Sequence, residues 1–122
     1  MNQETIERVC HMVHEVLRVY RLRSEGIQEG EDLTLPWNQA PAWVKQEVKQ
    51  VVIAGLANRS SLSPDKIHAM WAYDKILRGW VYGPSWDLEA KTHPRLVSYQ
   101  ELDDISREKN RMVCAIIKGA WD

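Results

Sequence analysis

Ionisable and aromatic side chains are densest between residues 80 and 94. The run reads Trp80-Val81-Tyr82-Gly83-Pro84-Ser85-Trp86-Asp87, and Lys91, His93 and Pro94 follow within seven positions. Rings of this kind can stack on a planar ligand while Lys91 or His93 meets an anionic or hydrogen-bonding group and Asp87 orients Lys91. A second reading stands beside it. A segment poor in helix needs anchors, so Trp80 and Tyr82 would plug it to the core and Asp87 with Lys91 would form a local ion pair. His11 and His14 are three residues apart and so share a helix face, whereas Glu15 lies about 100° around the helix from His14. Further metal ligands could come only from His68 and His93, far away in the chain, so no metal site is expected. His14 is expected to be partly buried and hydrogen-bonded, and His11 exposed.

No phosphate loop, dinucleotide fingerprint, GxSxG or HExxH motif occurs, and no nucleophile stands beside a base. The expectation is a protein that is not an enzyme and needs no cofactor. Cys10 and Cys114 lie on apolar helical faces, outside any CxxC or Cys/His cluster, and are expected to be buried and reduced.

Composition sharpens the picture. The chain has 122 residues with six Trp, four Tyr and no Phe. Every aromatic ring therefore carries an N–H or O–H, which suits sites with one apolar and one wet end. Sixteen basic residues against seventeen acidic ones give a net charge of −1, which argues against a nucleic-acid polymer as partner. Folding should bury about two-thirds of the unfolded chain's surface, enough for one domain and not for two. No apolar run approaches the ~20 residues that span a bilayer, and the N-terminus lacks a signal-peptide pattern. A soluble, cytoplasmic protein without membrane contact is expected.

The elements that must position these residues are mainly helical. Ile6, Val9, Cys10, Val13, Val16, Leu17 and Tyr20 recur with helical spacing from about Thr5 to Arg23, with Glu4 and Glu7 at the start and Arg18, Arg21 and Arg23 at the end. Residues 24–39 form a long loop with Gly26, Gly30 and the acids Glu29, Glu31 and Asp32, closed by Leu35-Pro36-Trp37. Pro41 opens a second helix with the stripe Trp43, Val44, Val48, Val51, Val52 and Leu56. Ser63-Pro64-Asp65 reads as the start of a third, carrying Ile67, Met70, Trp71 and Leu77 and ending at Gly79 as a left-handed cap. Ser98 and Glu101 have capping-box spacing. A last helix begins near Asp103 or Asp104 with the stripe Ile105, Met112, Val113, Ile116 and Ile117. Short strand pairing around Trp80–Tyr82 is the only β structure anticipated.

The residues His68-Ala-Met-Trp71, Gly79-Trp80-Val-Tyr82-Gly83, Asp87, Lys91-Thr-His93-Pro94 and Leu96-Val97-x-Tyr99-x-x-Leu102 together resemble the repeat domain first named in ryanodine receptors. That family's pattern is H-x-x-W, G-W-x-Y-G, D, K-x-H-P, L-V-P-Y-x-x-L; here Ser98 stands where proline is usual. The resemblance runs from about Trp43 to Lys118. His14-Glu15 and Pro36-Trp37 also resemble the N-terminal extension of small single-domain members from bacteria and their phages. The resemblance implies a mostly helical domain whose G-W-x-Y-G to K-x-H-P stretch wraps the ends of the helices. It implies that residues 1–40 are an extension packed on a repeat-like domain at 41–122. In the receptors the repeats occur in pairs with which a nucleotide site is associated, so a single repeat would recover the pairing as a homodimer.

The fold class expected is therefore mainly α: a small single-domain helical bundle with an irregular aromatic-rich segment. The preferred function is binding of a small ligand, a nucleotide or nucleotide-derived signal, for sensing or sequestration. Trp37, Trp71, Trp80 and Tyr82 would supply ring faces, Lys91, His93 and His14 polar contacts, and Asp87 the orientation of Lys91. The Leu35–Trp37 turn and the 80–94 segment would then lie together. The alternative is a protein-interaction or oligomerisation module, with Trp86 and Trp121 as contacts. Tyr20, Trp43 and Trp71 are accounted for as core by their helical spacing.

Overall fold

In the computed structural model, residues 2–23 and 34–121 are described; Gly26, Gly30 and the acids Glu29, Glu31 and Asp32 lie outside them. Helix α1 spans Gln3–Arg23, α2 Ala42–Ala57, α3 Pro64–Leu77 and α4 Asp104–Lys118. Strands β1, Val81–Tyr82, and β2, Thr92–His93, form a minor sheet, and single 3₁₀ turns occupy Trp37–Gln39, Arg59–Ser61 and Tyr99–Glu101. The protein is thus a mainly helical single domain.

Local sequence explains where the helices begin and end. The Asn2 side chain accepts the Thr5 N–H at 2.8 Å and starts α1. Asp103 does the same for Ser106 at 2.8 Å and starts α4, satisfying a backbone donor that the helix cannot. Hydrogen bonding from Ser106, first from its side chain and then from its N–H, holds the Asp103 carboxyl below its usual range. Pro64 opens α3, but the Ser63 hydroxyl turns to the Asp65 carboxylate at 2.5 Å rather than to the backbone. Pro41 sits one residue before α2 as its N-cap. Gly79, at φ +91°, turns the chain out of α3 in the left-handed region that favours glycine. Ser98 and Glu101 bond each other through their side chains at 2.8 Å and frame a single 3₁₀ turn.

The core lies where α1, α2 and α4 meet. Val9, Cys10 and Val13 of α1 pack with Val48 and Val52 of α2 and with Val113, Cys114 and Ile117 of α4. Ile67 of α3 and Trp37 close it. Both cysteines are buried and reduced, and burial pushes the Cys10 thiol up to about 11. At Gly55 a Cβ would stand 3.1 Å from Ile117, so the absence of a side chain lets α2 approach α4 closely.

Four stripe residues are not core. Trp43 is 42 % exposed, Ile105 and Met112 are similarly open, and Leu77 at the end of α3 is more so. Helical spacing identifies an apolar face but not whether another element covers it, and here none of the described elements does. Among the described residues, no helix is long and apolar enough to cross a membrane.

The 80–94 segment is more ordered than its composition suggests. β1 and β2 pair in parallel, Val81 with Thr92 and Tyr82 with His93. Parallel strands usually need a long crossover. Here the short connection doubles back instead, with Asp87 and Thr92 exchanging two backbone hydrogen bonds of 3.1 Å. Asp87 Oδ1 accepts the N–H groups of Glu89 and Ala90, and Lys91 turns the chain at φ 56°. Lys91 Nζ donates to the Arg78 carbonyl at 2.9 Å, at the C-terminus of α3. Asp87 and Lys91 therefore do not form the anticipated ion pair, and Asp87 does not orient Lys91. Each serves the backbone: one closes a turn, the other caps a helix whose terminal carbonyls attract a cation.

Candidate functional site

The central feature is a small cavity between the four helices and the stretch after β2, with a volume of about 70 Å³. Its apolar wall includes Val13, Leu17, Val48, Val51 and Val113. These residues follow directly from the stripes of α1, α2 and α4. The polar wall comes from every side: Arg21 from α1, Glu47 from α2, His68 and Trp71 from α3, Arg95 after β2, and Lys109 from α4. An apolar hollow with a few convergent polar groups is the usual form of a small-molecule site.

Three rings form one face. His68 and Trp71, three residues apart on α3, stack with centroids 5.6 Å apart and planes 27° from parallel. His93 meets Trp71 edge-on at 4.8 Å and 77°. Both imidazoles are fixed by the backbone. His68 Nε2 lies 2.7 Å from the Val97 carbonyl, and since a carbonyl only accepts, Nε2 carries the hydrogen. His93, only 1 % exposed, accepts the Arg95 N–H on Nδ1 at 3.1 Å. Burial holds the His68 pKa below its ordinary value, so that ring is neutral at neutral pH.

Behind this face stands a second layer. Trp80 is buried, 6.3 Å from His93 and 6.4 Å from Trp86. Lys75 Nζ lies 4.6 Å over the Trp80 ring and donates to Glu47 Oε1 at 2.7 Å. The segment after β2 is tied to α4 by Arg95, whose Nε donates to the Ser106 hydroxyl at 3.1 Å.

Trp71 and His93 thus line the cavity, and Trp80 supports it from behind. Tyr82 is 59 % exposed and, with Asp87 and Lys91, belongs to the outer loop. Trp37 and His14 form a separate cluster against α1. The Trp37 indole N–H donates to Glu7 Oε1 at 2.9 Å. Its ring lies 5.4 Å from His11 and 5.5 Å from His14, with Lys45 Nζ 5.4 Å from its centroid. His14 is 0 % exposed, more deeply buried than expected, while His11 is exposed. His14 Nε2 donates to the Leu35 carbonyl at 2.7 Å. Its Nδ1 is buried with no hydrogen-bond partner among the described residues. Among the described ring contacts, none joins Trp37 to Trp71, Trp80 or His93, so the Leu35–Trp37 turn and the 80–94 segment do not converge through their rings. Among the described residues, no group of three or more His, Cys, Asp or Glu is arranged to hold a metal ion.

Sequence reasoning passed over Arg21, Glu47, His68, Arg95 and Lys109. Four of them are charged residues on helices or near a turn, where a solvated surface is the default expectation. Only His68 carried a signal, since it pairs with Trp71 at i, i+3 within the H-x-x-W run.

The family model for the RyR domain matches residues 56–118. That is just over half of the chain, and it begins later than the Trp43 suggested by the motifs alone. It contains α3, the β1–β2 segment and α4, and with them the whole ring face of the cavity. The chain belongs to the RyR domain family.

Proposed function

We propose that this protein is a non-enzymatic binding module for a nucleotide or nucleotide-derived signal, which it senses or sequesters in the cytoplasm. The observation that supports this best is the pairing, in one cavity, of the Trp71–His68–His93 ring face with the cations Arg21, Arg95 and Lys109. A planar base stacks on an aromatic face with about 1–3 kcal/mol per ring. Guanidinium and ammonium groups bind phosphate with charge-assisted hydrogen bonds. The apolar wall excludes water and strengthens both. A thermal-shift screen against mononucleotides and cyclic dinucleotides tests the reading. Binding at a hundred times Kd raises stability by about 2.7 kcal/mol; no shift with any compound at high excess rejects it.

One observation favours a second reading. Tyr73, Ile76, Leu77, Val81, Tyr82 and Leu88 are all more than half exposed and come from the end of α3 and the segment after it. Apolar surface of this kind is characteristic of protein interfaces, and a homodimer through it is compatible with ligand binding. Sedimentation of the wild type and of Leu77→Ser with Tyr82→Ser distinguishes the cases: a dimer that the double variant dissolves supports the interface, and a monomer at all concentrations rejects it.

A further inference from the structure

A cavity of about 70 Å³ has room for two or so water molecules at ~30 Å³ each, whereas sites for small organic ligands run from ~300 Å³ upward. A second hollow adjoins it. A groove of about 300 Å³ runs between α2 and α3, with Val51, Ala54, Met70, Tyr73 and Leu77 in its wall. Glu47, Val51 and Trp71 stand in the walls of both hollows.

Of these three shared residues, Trp71 is the one whose rearrangement changes the space. Glu47 is held by Lys75, which donates to its Oε1 at 2.7 Å and lies 4.6 Å over the Trp80 ring. Val51 is small and, on a helix, stiff at χ1. Trp71 is half-buried, and a helical backbone leaves it two side-chain wells, χ1 near 180° and near −60°. No described residue accepts its indole N–H, whereas that of Trp37 is tied to Glu7 at 2.9 Å. The ring contacts that hold Trp71 are the stack on His68 at 5.6 Å and the edge contact with His93 at 4.8 Å. Contacts of that kind are weak enough to leave a second rotamer populated at about 0.1–10 %. His68 and His93 are themselves fixed by the backbone, through the Val97 carbonyl and the Arg95 N–H, so their face stays in place when the indole leaves it.

We propose that Trp71 is a swinging partition and that the cavity is loaded from the α2–α3 groove. With the indole turned away, the two hollows form one space of roughly 370 Å³, within the range of small-molecule sites. A ligand with a planar ring then takes the place of the indole on His68. The naming of this entrance and its moving part rests on the reading of the cavity as a ligand site.

The full chain labelled with 5-fluorotryptophan tests the inference by fluorine NMR. It has six tryptophans, and the resonance of Trp71 is the one lost in Trp71→Phe. Without ligand, relaxation dispersion should show exchange at Trp71 on the μs–ms scale of collective side-chain rearrangement and none at Trp37. His68→Ala removes the stack and should raise the minor population about two- to tenfold. A flat profile for Trp71 in the wild type overturns the inference; should His68→Ala not fold, that profile decides alone. AMP then serves as the ligand probe. Bound AMP should move the Trp71 resonance, and the observed association rate should level off with concentration at the rate of opening. Bound AMP with the Trp71 resonance unmoved overturns the inference and leaves the binding reading intact. Exchange at Trp71 with neither AMP nor any compound of the thermal-shift screen bound supports the partition and rejects the binding reading.

Discussion

His14 illustrates how a single side chain can carry both cohesion and a pH response. Its Nε2–H holds the Leu35 carbonyl at 2.7 Å, and its Nδ1 is buried without a partner among the described residues. Burial is the main reason its pKa lies below the ordinary 6.5; the Leu35 bond opposes that, Arg21 and Arg18 reinforce it, and Glu15 opposes it. Protonation would place a second N–H where no described residue accepts it. Above pH 6.5 the ring is neutral both folded and unfolded, and its contribution is fully present. As pH falls through 6.5 the unfolded chain takes up the proton first, and stability is lost progressively down to the lower folded pKa. His68, lowered for the same main reason, acts in the same direction. Denaturant unfolding between pH 7.5 and 5 should thus show falling stability. His14→Gln keeps an N–H for Leu35 and removes the titration, so its slope should be shallower. An identical slope in the variant would show that His14 is not a source of the pH dependence.

At the scale of elements, the 80–94 segment depends on close backbone approach. A Cβ on Gly83 would lie 2.5 Å from Thr92 Cβ and 2.9 Å from its Cγ2, too near for any rotamer of a β-branched residue to relieve. Gly83→Ala should cost about 1–3 kcal/mol and should push β1 and β2 apart, as amide exchange of Val81 and His93 would register. Wild-type exchange in the variant would mean that the strand pair tolerates the methyl group. Helices were legible in the sequence because their evidence is local: a period, a proline at the start of α3, a glycine at φ +91° after it. What covers each helix was not legible. Trp43 and Ile105 follow the period and yet face outward. Asp87 and Lys91 look like partners at i, i+4 but sit in a turn, where that spacing places nothing opposite. The Glu47–Lys75 pair, 28 residues apart, depends on how α2 crosses α3, which no single helix period records.

For the whole molecule, the same division separates the ring face of the cavity from its charges. Trp71 and His93 stood out by residue type and motif. Arg21, Arg95 and Lys109 became cavity residues only through the packing of α1 and α4 around a shared core. That core has little slack. Ile117 is fully buried and packs against the bare backbone of Gly55, with Leu62 adjoining the same spot. Truncating it to alanine should cost about 2–5 kcal/mol, a large share of the 5–15 kcal/mol that holds such a domain together. Thermal unfolding followed at 222 nm should show Ile117→Ala melting more than about 10 °C below the wild type. A shift of a degree or two would mean that the cavity can collapse to absorb the lost volume.

The Trp80–Trp86 pair, with centroids 6.4 Å apart and planes 32° from parallel, has an optical consequence. Two indoles this close and skewed share their electronic excitation, which gives circular dichroism a paired positive and negative band distinct from the helical signal. The protein thereby carries its own chromophore for the loop that wraps the helix ends. Loosening of that loop would extinguish the couplet while the helices kept their bands, so the two parts of the fold can be followed separately in one cuvette without a label.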